Sequence, residues 1–204
     1  MKEAYFTDFQ GMNMNTMTNP EIGHSIQCGD ILTNYHDVGQ GEPILLLHGS
    51  GPGVSAWANW RLTIQALQND FRLIAPDFAG FGYTQFPEGM RFNRDNWLKQ
   101  IVSFMDNLGL EKVNVIGNSF GGSMALALAI YHPERVNKLI LMGSVGVPFE
   151  LTAGLDAVWG YTPSFENMQA IMKIFAYNQN LVGDDLVQMR YIASTKEDTR
   201  AAYE

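Results

Sequence analysis

The chain has one cysteine, Cys28, and so can form no internal disulfide. That fits a reducing compartment and sets aside the small secreted domains framed by disulfides. Cys28 itself reads as a small core or loop residue. Cations are scarce, 13 Lys and Arg against 21 Asp and Glu, which leaves a net charge of −8. So acidic a surface argues against nucleic acid and anionic membranes as partners, yet a local cation could still receive a small anionic substrate. No stretch approaches the roughly 20 apolar residues of a membrane span. Residues 1–19 are polar and rich in Met, Asn and Thr, without the basic start and apolar run of a secretory signal. They read as a disordered leader, with Met12, Met14 or Met17 as alternative starts, and the expected location is cytoplasmic.

What is present is an ordinary globular composition, 46% hydrophobic over 204 residues, enough for one domain with a real core. Apolar runs alternate with helical patterns, the signature of a mostly parallel sheet covered by helices on both faces. Strands are expected at Ile31–His36, Pro43–His48, Phe71–Ala75, Lys112–Ile116 and Val136–Met142. The run PILLLH has no polar alternation, as suits a strand buried on both faces. Helical spacing joins Trp57, Trp60, Ile64 and Leu67, and again Trp97, Ile101, Phe104 and Leu108. Asn93 is placed to cap the second of these helices and Gly109 to stop it. A further helix is expected over Phe120–Tyr131. After Pro148 the pattern changes: Phe165, Met168, Met172 and Phe175 fall at helical spacing, and no strand is expected after them. The expected organisation is therefore a leader (1–19), an α/β core (20–148) and a helical lid (149–204).

One motif carries chemistry. Gly117-Asn118-Ser119-Phe120-Gly121 is a G-x-S-x-G sequence that follows an expected strand and opens an expected helix. That context is what a nucleophile elbow requires, a serine presented at a bend too tight for bulky neighbours. A bare glycine-flanked helix cap is the plainer reading of the same residues. A second motif, His48-Gly49-Ser50-Gly51-Pro52-Gly53, follows the PILLL strand, where a loop amide can complete an oxyanion hole. Ser50 is the expected loop donor, and Phe120, next after the serine, the other.

With their neighbours, these segments resemble the meta-cleavage product hydrolases of the α/β-hydrolase superfamily. The resemblance runs through HGSGPGVSAWANWR (48–61), APDFAGFGYT (75–84), GNSFGGSMALALAIYHPERV (117–136) and LILMGSVGV (139–147), then into LDAVWGYTPSF and LVGDDLVQMRY. It covers nearly everything after the leader, and LDAVWGY is most like the 2-hydroxymuconate semialdehyde hydrolase branch. The resemblance implies hydrolysis of a carbon–carbon bond in 2-hydroxy-6-oxohexa-2,4-dienoates during aromatic degradation, with no metal or organic cofactor. It makes Ser119 the catalytic serine, Ser50 and Phe120 the oxyanion donors, and Asn59, Asn118 and Arg190 the contacts for the dienoate. A guanidinium suits a carboxylate because it can donate two parallel hydrogen bonds. The family also makes a homo-oligomer plausible. A serine at the elbow speaks against the dehalogenases and epoxide hydrolases of this fold, which carry Asp there.

A serine needs a base, and in this fold the order is Ser, then Asp or Glu, then His. The four histidines, His24, His36, His48 and His132, all lie before Ser119 or shortly after it, where the base is not expected. The expectation is a fragment lacking about one third of a typical domain, with its last strands and its triad acid and histidine. Such a chain is expected to be inactive or nearly so. An esterase or lactonase of the same fold, or a non-catalytic binding module, remain the competing readings.

Overall fold

The computed structural model describes residues 19–195; the leader residues 1–18 and the last residues, 196–204, lie outside the described part. Six strands form one sheet: β1 (His24–Cys28), β2 (Ile31–Val38), β3 (Glu42–Leu47), β4 (Phe71–Pro76), β5 (Val113–Asn118) and β6 (Val136–Met142). Their order is β1-β2-β4-β3-β5-β6. β4, β3, β5 and β6 run parallel, while β1 and β2 form an antiparallel hairpin whose second strand pairs with β4. Parallel neighbours need crossovers. Here α1 (Ala56–Leu67) links β3 to β4, α2 (Arg94–Asn107) links β4 to β5, and α3 (Phe120–Tyr131) links β5 to β6.

The central strands are apolar throughout because each face has its own core. Leu45, Leu47, Ile74, Val113 and Val115 join Ile101, Phe104, Met124 and Leu128 of α2 and α3. Ile44, Leu46, Leu73, Ala75 and Ile116, one residue out of phase, join Trp60 and Ile64 of α1 on the other face. Period-two alternation thus feeds both layers from one unbroken apolar run. Cys28 is buried in the first of these clusters.

Helix ends follow local chemistry. Asn93 Oδ1 accepts from Asn96 N–H at 2.9 Å and begins α2. At its end, left-handed Gly109 (φ 67°) donates to Asp106 O, and Leu110 N–H bonds Met105 O at 2.9 Å, the paired closure of a Schellman motif. After β6 the described chain is helical: α4 (Ala153–Trp159), α5 (Phe165–Phe175) and α6 (Asp184–Ser194). Among the described residues β6 ends the sheet order, and Ile140, Leu141 and Met142 on it are exposed. No helix among them is long and apolar enough to cross a membrane.

Candidate active site

β3 and β5 lie side by side, with Leu47 level with Gly117. α1 leaves β3 towards one face and α3 leaves β5 towards the other, so the crevice where connections diverge opens at their C-terminal ends, the usual ligand position in open α/β sheets. The His48–Gly53 loop and the elbow therefore emerge against each other. A Cβ placed on Gly49 would lie 3.2 Å from Asn118 Nδ2 and 3.4 Å from the Ser119 Cβ.

Ser119 has φ 52° and ψ −114°, and is the only non-glycine residue with positive φ among the described residues. Backbone strain of this kind is held only where surrounding contacts over-determine it. Here Ser119 N–H bonds Met142 O at 2.9 Å, while its carbonyl accepts from Gly122, Ser123 and Val145. The flanking glycines serve packing: a Cβ on Gly121 would collide with the carbonyls of Leu47 and His48, and one on Gly117 would lie 2.5 Å from Gly121 O. Ser119 is half-buried and lines a cavity of about 600 Å³. Among the described residues, the amides of Ser50 and Phe120 make no backbone or side-chain hydrogen bond. Phe120 N–H is one of the donors that every helix start leaves without an intrahelical partner.

Asn59, from α1, also lines this cavity, as do Ser50, Asn118 and Arg190. Asn59 Oδ1 accepts two bonds, from Gly49 N–H at 3.0 Å and from Asn118 Nδ2 at 2.9 Å. The backbone donor settles which end of the Asn59 amide is oxygen, since N–H can only donate. Asn59 thus ties the His48–Gly53 loop to the elbow, a task with no signature in the sequence. Arg190, on α6, is half-buried and donates from Nη1 to Gly53 O at 2.7 Å. Met168, Ile171 and Met172 of α5 form the apolar wall across from the loop and the elbow.

A buried polar layer below the loop also escaped sequence reasoning. Asp77 is fully buried and accepts from Ala56 N–H (2.6 Å), Tyr83 N–H (2.8 Å) and Asn34 Nδ2 (2.8 Å). Burial drives its carboxyl up to about 6 against those hydrogen bonds, with the nearby Glu21 adding to the rise. Ser55 caps α1 by accepting from Ala58 N–H and donates to Glu21 Oε2 at 2.5 Å. Together these groups fix where the loop ends and α1 begins. The only available signal was an Asp directly after the β4 run, in APDF.

None of the four histidines is bonded to Ser119. His48 is fully buried with both ring nitrogens engaged by backbone, Nδ1 with Gly49 O at 2.7 Å and Nε2 with Phe78 N–H at 3.0 Å. Burial pushes it down to about 4; the bond to Gly49 O opposes that fall and the Arg190 charge adds to it. His36 Nε2 meets Glu21 O, His24 packs on the Tyr35 ring, and His132 lies 3.6 Å from Glu134.

Residues 42–187 match the family described as alpha/beta hydrolase fold. The chain belongs to this family. Within it, the chain falls among the meta-cleavage product hydrolases. It is 54% identical over 184 residues to a 2-hydroxymuconate semialdehyde hydrolase of Pseudomonas sp. (strain CF600), covering 90% of this chain and 65% of that protein. It is 52% identical over 188 residues to a 2-hydroxy-6-oxo-2,4-heptadienoate hydrolase of Pseudomonas putida, covering 92% and 68%. A solved meta-cleavage product hydrolase from Pseudomonas fluorescens IP01 superimposes with a TM-score of 0.88 at 52% identity, covering 91% of this chain and 68% of that one. The chain therefore spans about two thirds of the length of these α/β-hydrolases.

Proposed function

We propose that this chain carries the nucleophile, the oxyanion donors and the carboxylate site of a hydrolase that adds water across a carbon–carbon bond of 2-hydroxy-6-oxohexa-2,4-dienoates. For 2-hydroxymuconate semialdehyde the products are 2-hydroxypenta-2,4-dienoate and formate, a step in aromatic degradation that we place in the cytoplasm. The observation that carries the reading is Ser119, held at positive φ beside two unengaged amides in the wall of a cavity that Arg190 also lines.

In this reading the Arg190 guanidinium receives the substrate carboxylate, a charge-assisted contact. The NH2 group of Asn59, whose oxygen is already committed, and Asn118 add polar contacts to the dienoate. The C6 carbonyl oxygen sits between Ser50 N–H and Phe120 N–H. Ser119 Oγ, or a water that it activates, adds to C6, and the two amides receive the charge that develops there. The C5–C6 bond then breaks, its electron pair passing into the ketonised dienoate, which takes up a proton. Where water attacked, the acid leaves directly; where Ser119 attacked, a second addition, by water to the acyl ester, breaks the ester bond and releases the acid and the serine. The proton of the nucleophile must go to a group outside the four histidines, all of them engaged elsewhere.

The test is a titration of the 204-residue chain with 2-hydroxymuconate semialdehyde, read by the visible absorption of the dienolate. The expected result is saturable binding without loss of colour, weakened about tenfold or more by Arg190→Gln. Turnover of p-nitrophenyl acetate, with no saturable dienoate binding and no effect of Arg190→Gln, would favour an esterase of the same fold instead.

A further inference from the structure

His48 is a buried imidazole that the proposed chemistry does not use. Its surroundings fix its chemical form. Phe78 N–H can only donate, so Nε2, 3.0 Å away, is the unprotonated acceptor. Gly49 O can only accept, so Nδ1, 2.7 Å away, carries the proton. The rings of Phe78 and Phe81 pack edge-on against the imidazole at centroid distances of 4.9 and 5.5 Å and hold its plane. A buried neutral histidine in a single tautomer is therefore clamped onto one carbonyl of the loop.

That carbonyl belongs to the Gly49–Ser50 peptide. The unit is planar and trans, so its C=O and its N–H point in opposite directions. Whatever holds Gly49 O thereby aims Ser50 N–H. The preceding peptide is held as well, by Gly49 N–H on Asn59 Oδ1 at 3.0 Å. Two consecutive peptides of a glycine-rich loop are thus anchored by two side chains. The one amide between them left without a hydrogen bond among the described residues, that of Ser50, belongs to a residue lining the cavity.

We propose that His48 is a positioning residue of the oxyanion hole: its Nδ1–H, bonded to Gly49 O, turns the Gly49–Ser50 peptide so that Ser50 N–H faces the cavity beside Ser119. This rests on the assignment of Ser50 as the loop donor. His48 touches no substrate and transfers no proton; it acts through a peptide plane.

The ring's two bonds can be separated by substitution. In His48→Asn the side-chain NH2 falls near the place of Nδ1 and can still donate to Gly49 O, while the bond to Phe78 is lost. In His48→Gln the amide oxygen falls near the place of Nε2 and can still accept from Phe78 N–H, while the donor to Gly49 O is lost. The probe is phenylboronic acid, which adds to a serine hydroxyl and places a boronate oxygen where the oxyanion would form. Binding is read by 11B NMR and by the amide proton shifts of Ser50 and Phe120 in the labelled 204-residue chain. The wild type is expected to bind with both amides moving downfield. His48→Asn should bind within about threefold of it, and His48→Gln roughly tenfold or more weakly, losing the Ser50 shift and keeping that of Phe120. Equal binding and an equal Ser50 shift in His48→Gln would overturn the proposal, and so would equal losses in both variants, the mark of a purely structural role. A wild type that takes up no boronate at Ser119 would sink the hydrolase reading, and this inference with it. Should a variant fail to fold, 15N NMR of the wild-type ring at neutral pH decides alone: a proton on Nδ1 supports the assignment, and a proton on Nε2 or a cationic ring overturns it.

Discussion

Burial of His48 links the stability of the fold to pH in a way that can be isolated. The imidazole falls from an ordinary 6.5 to about 4, chiefly because burial penalises its charged form. Between those values the unfolded chain binds a proton that the folded chain does not, so unfolding is favoured as pH drops. The stability His48 contributes is complete above pH 6.5 and is lost as pH falls towards 4. A difference of about 2.5 pH units at 1.36 kcal/mol each corresponds to about 3 kcal/mol, a large part of the stability of a single domain. Asp77 works in the opposite sense: its carboxyl rises from 3.8 to about 6, so its favourable contribution is complete below 3.8 and lost as pH climbs through 6. The two windows nearly coincide and the two effects largely cancel in the wild type. Urea denaturation from pH 7.5 to 4.5 on wild type and His48→Asn separates them, because the variant keeps Asp77 and loses the imidazole. The wild type should lose about 2.5 kcal/mol more than the variant over this range, which stops short of the folded value of about 4. Parallel pH profiles for the two proteins would refute the claim that His48 is held neutral inside the fold.

Two further outcomes follow from the elbow. Ser119→Gly should raise the denaturation midpoint, by about 1 kcal/mol in stability, because glycine adopts the observed positive φ without strain, while Ser119→Ala should bring no such gain. Gly121→Ala should cost roughly 1–3 kcal/mol in the same measurement, since its new methyl meets the backbone carbonyls of Leu47 and His48 and neither can swing aside.

The sequence showed most clearly those elements whose local signals and tertiary contacts agree. α3 and β6 begin and end where the pattern placed them, at Phe120–Tyr131 and Val136–Met142, and α2 is bracketed by the Asn93 cap and Gly109. β2 runs two residues past His36 because Asp37 and Val38 pair with Ile74 and Leu73, and Asp37 also holds the Arg72 guanidinium at 2.6 and 2.9 Å. β1 has no pattern of its own: HSIQC is mostly exposed and becomes a strand only by pairing with β2. At the site, Ser119 and Ser50 came from two motifs and Asn118, Asn59 and Arg190 from the family resemblance, and all five line one cavity. The supports of these groups were hidden, because they are bonds between residues far apart in the chain, such as Asn59 to Gly49 and Asp77 to Asn34. Periodicity reports which face of an element is apolar, not which carbonyl a buried side chain will hold.

Two of the backbone bonds of Ser119 reach out of the elbow, to Met142 O and Val145 N–H, on either side of left-handed Gly143. That stretch is also the tether from which α4, α5 and α6 hang. The serine is thus fastened to the hinge of its own roof. A tilt of the helices that line the cavity would be absorbed by rotation within these few residues or passed on to the Ser119 hydroxyl.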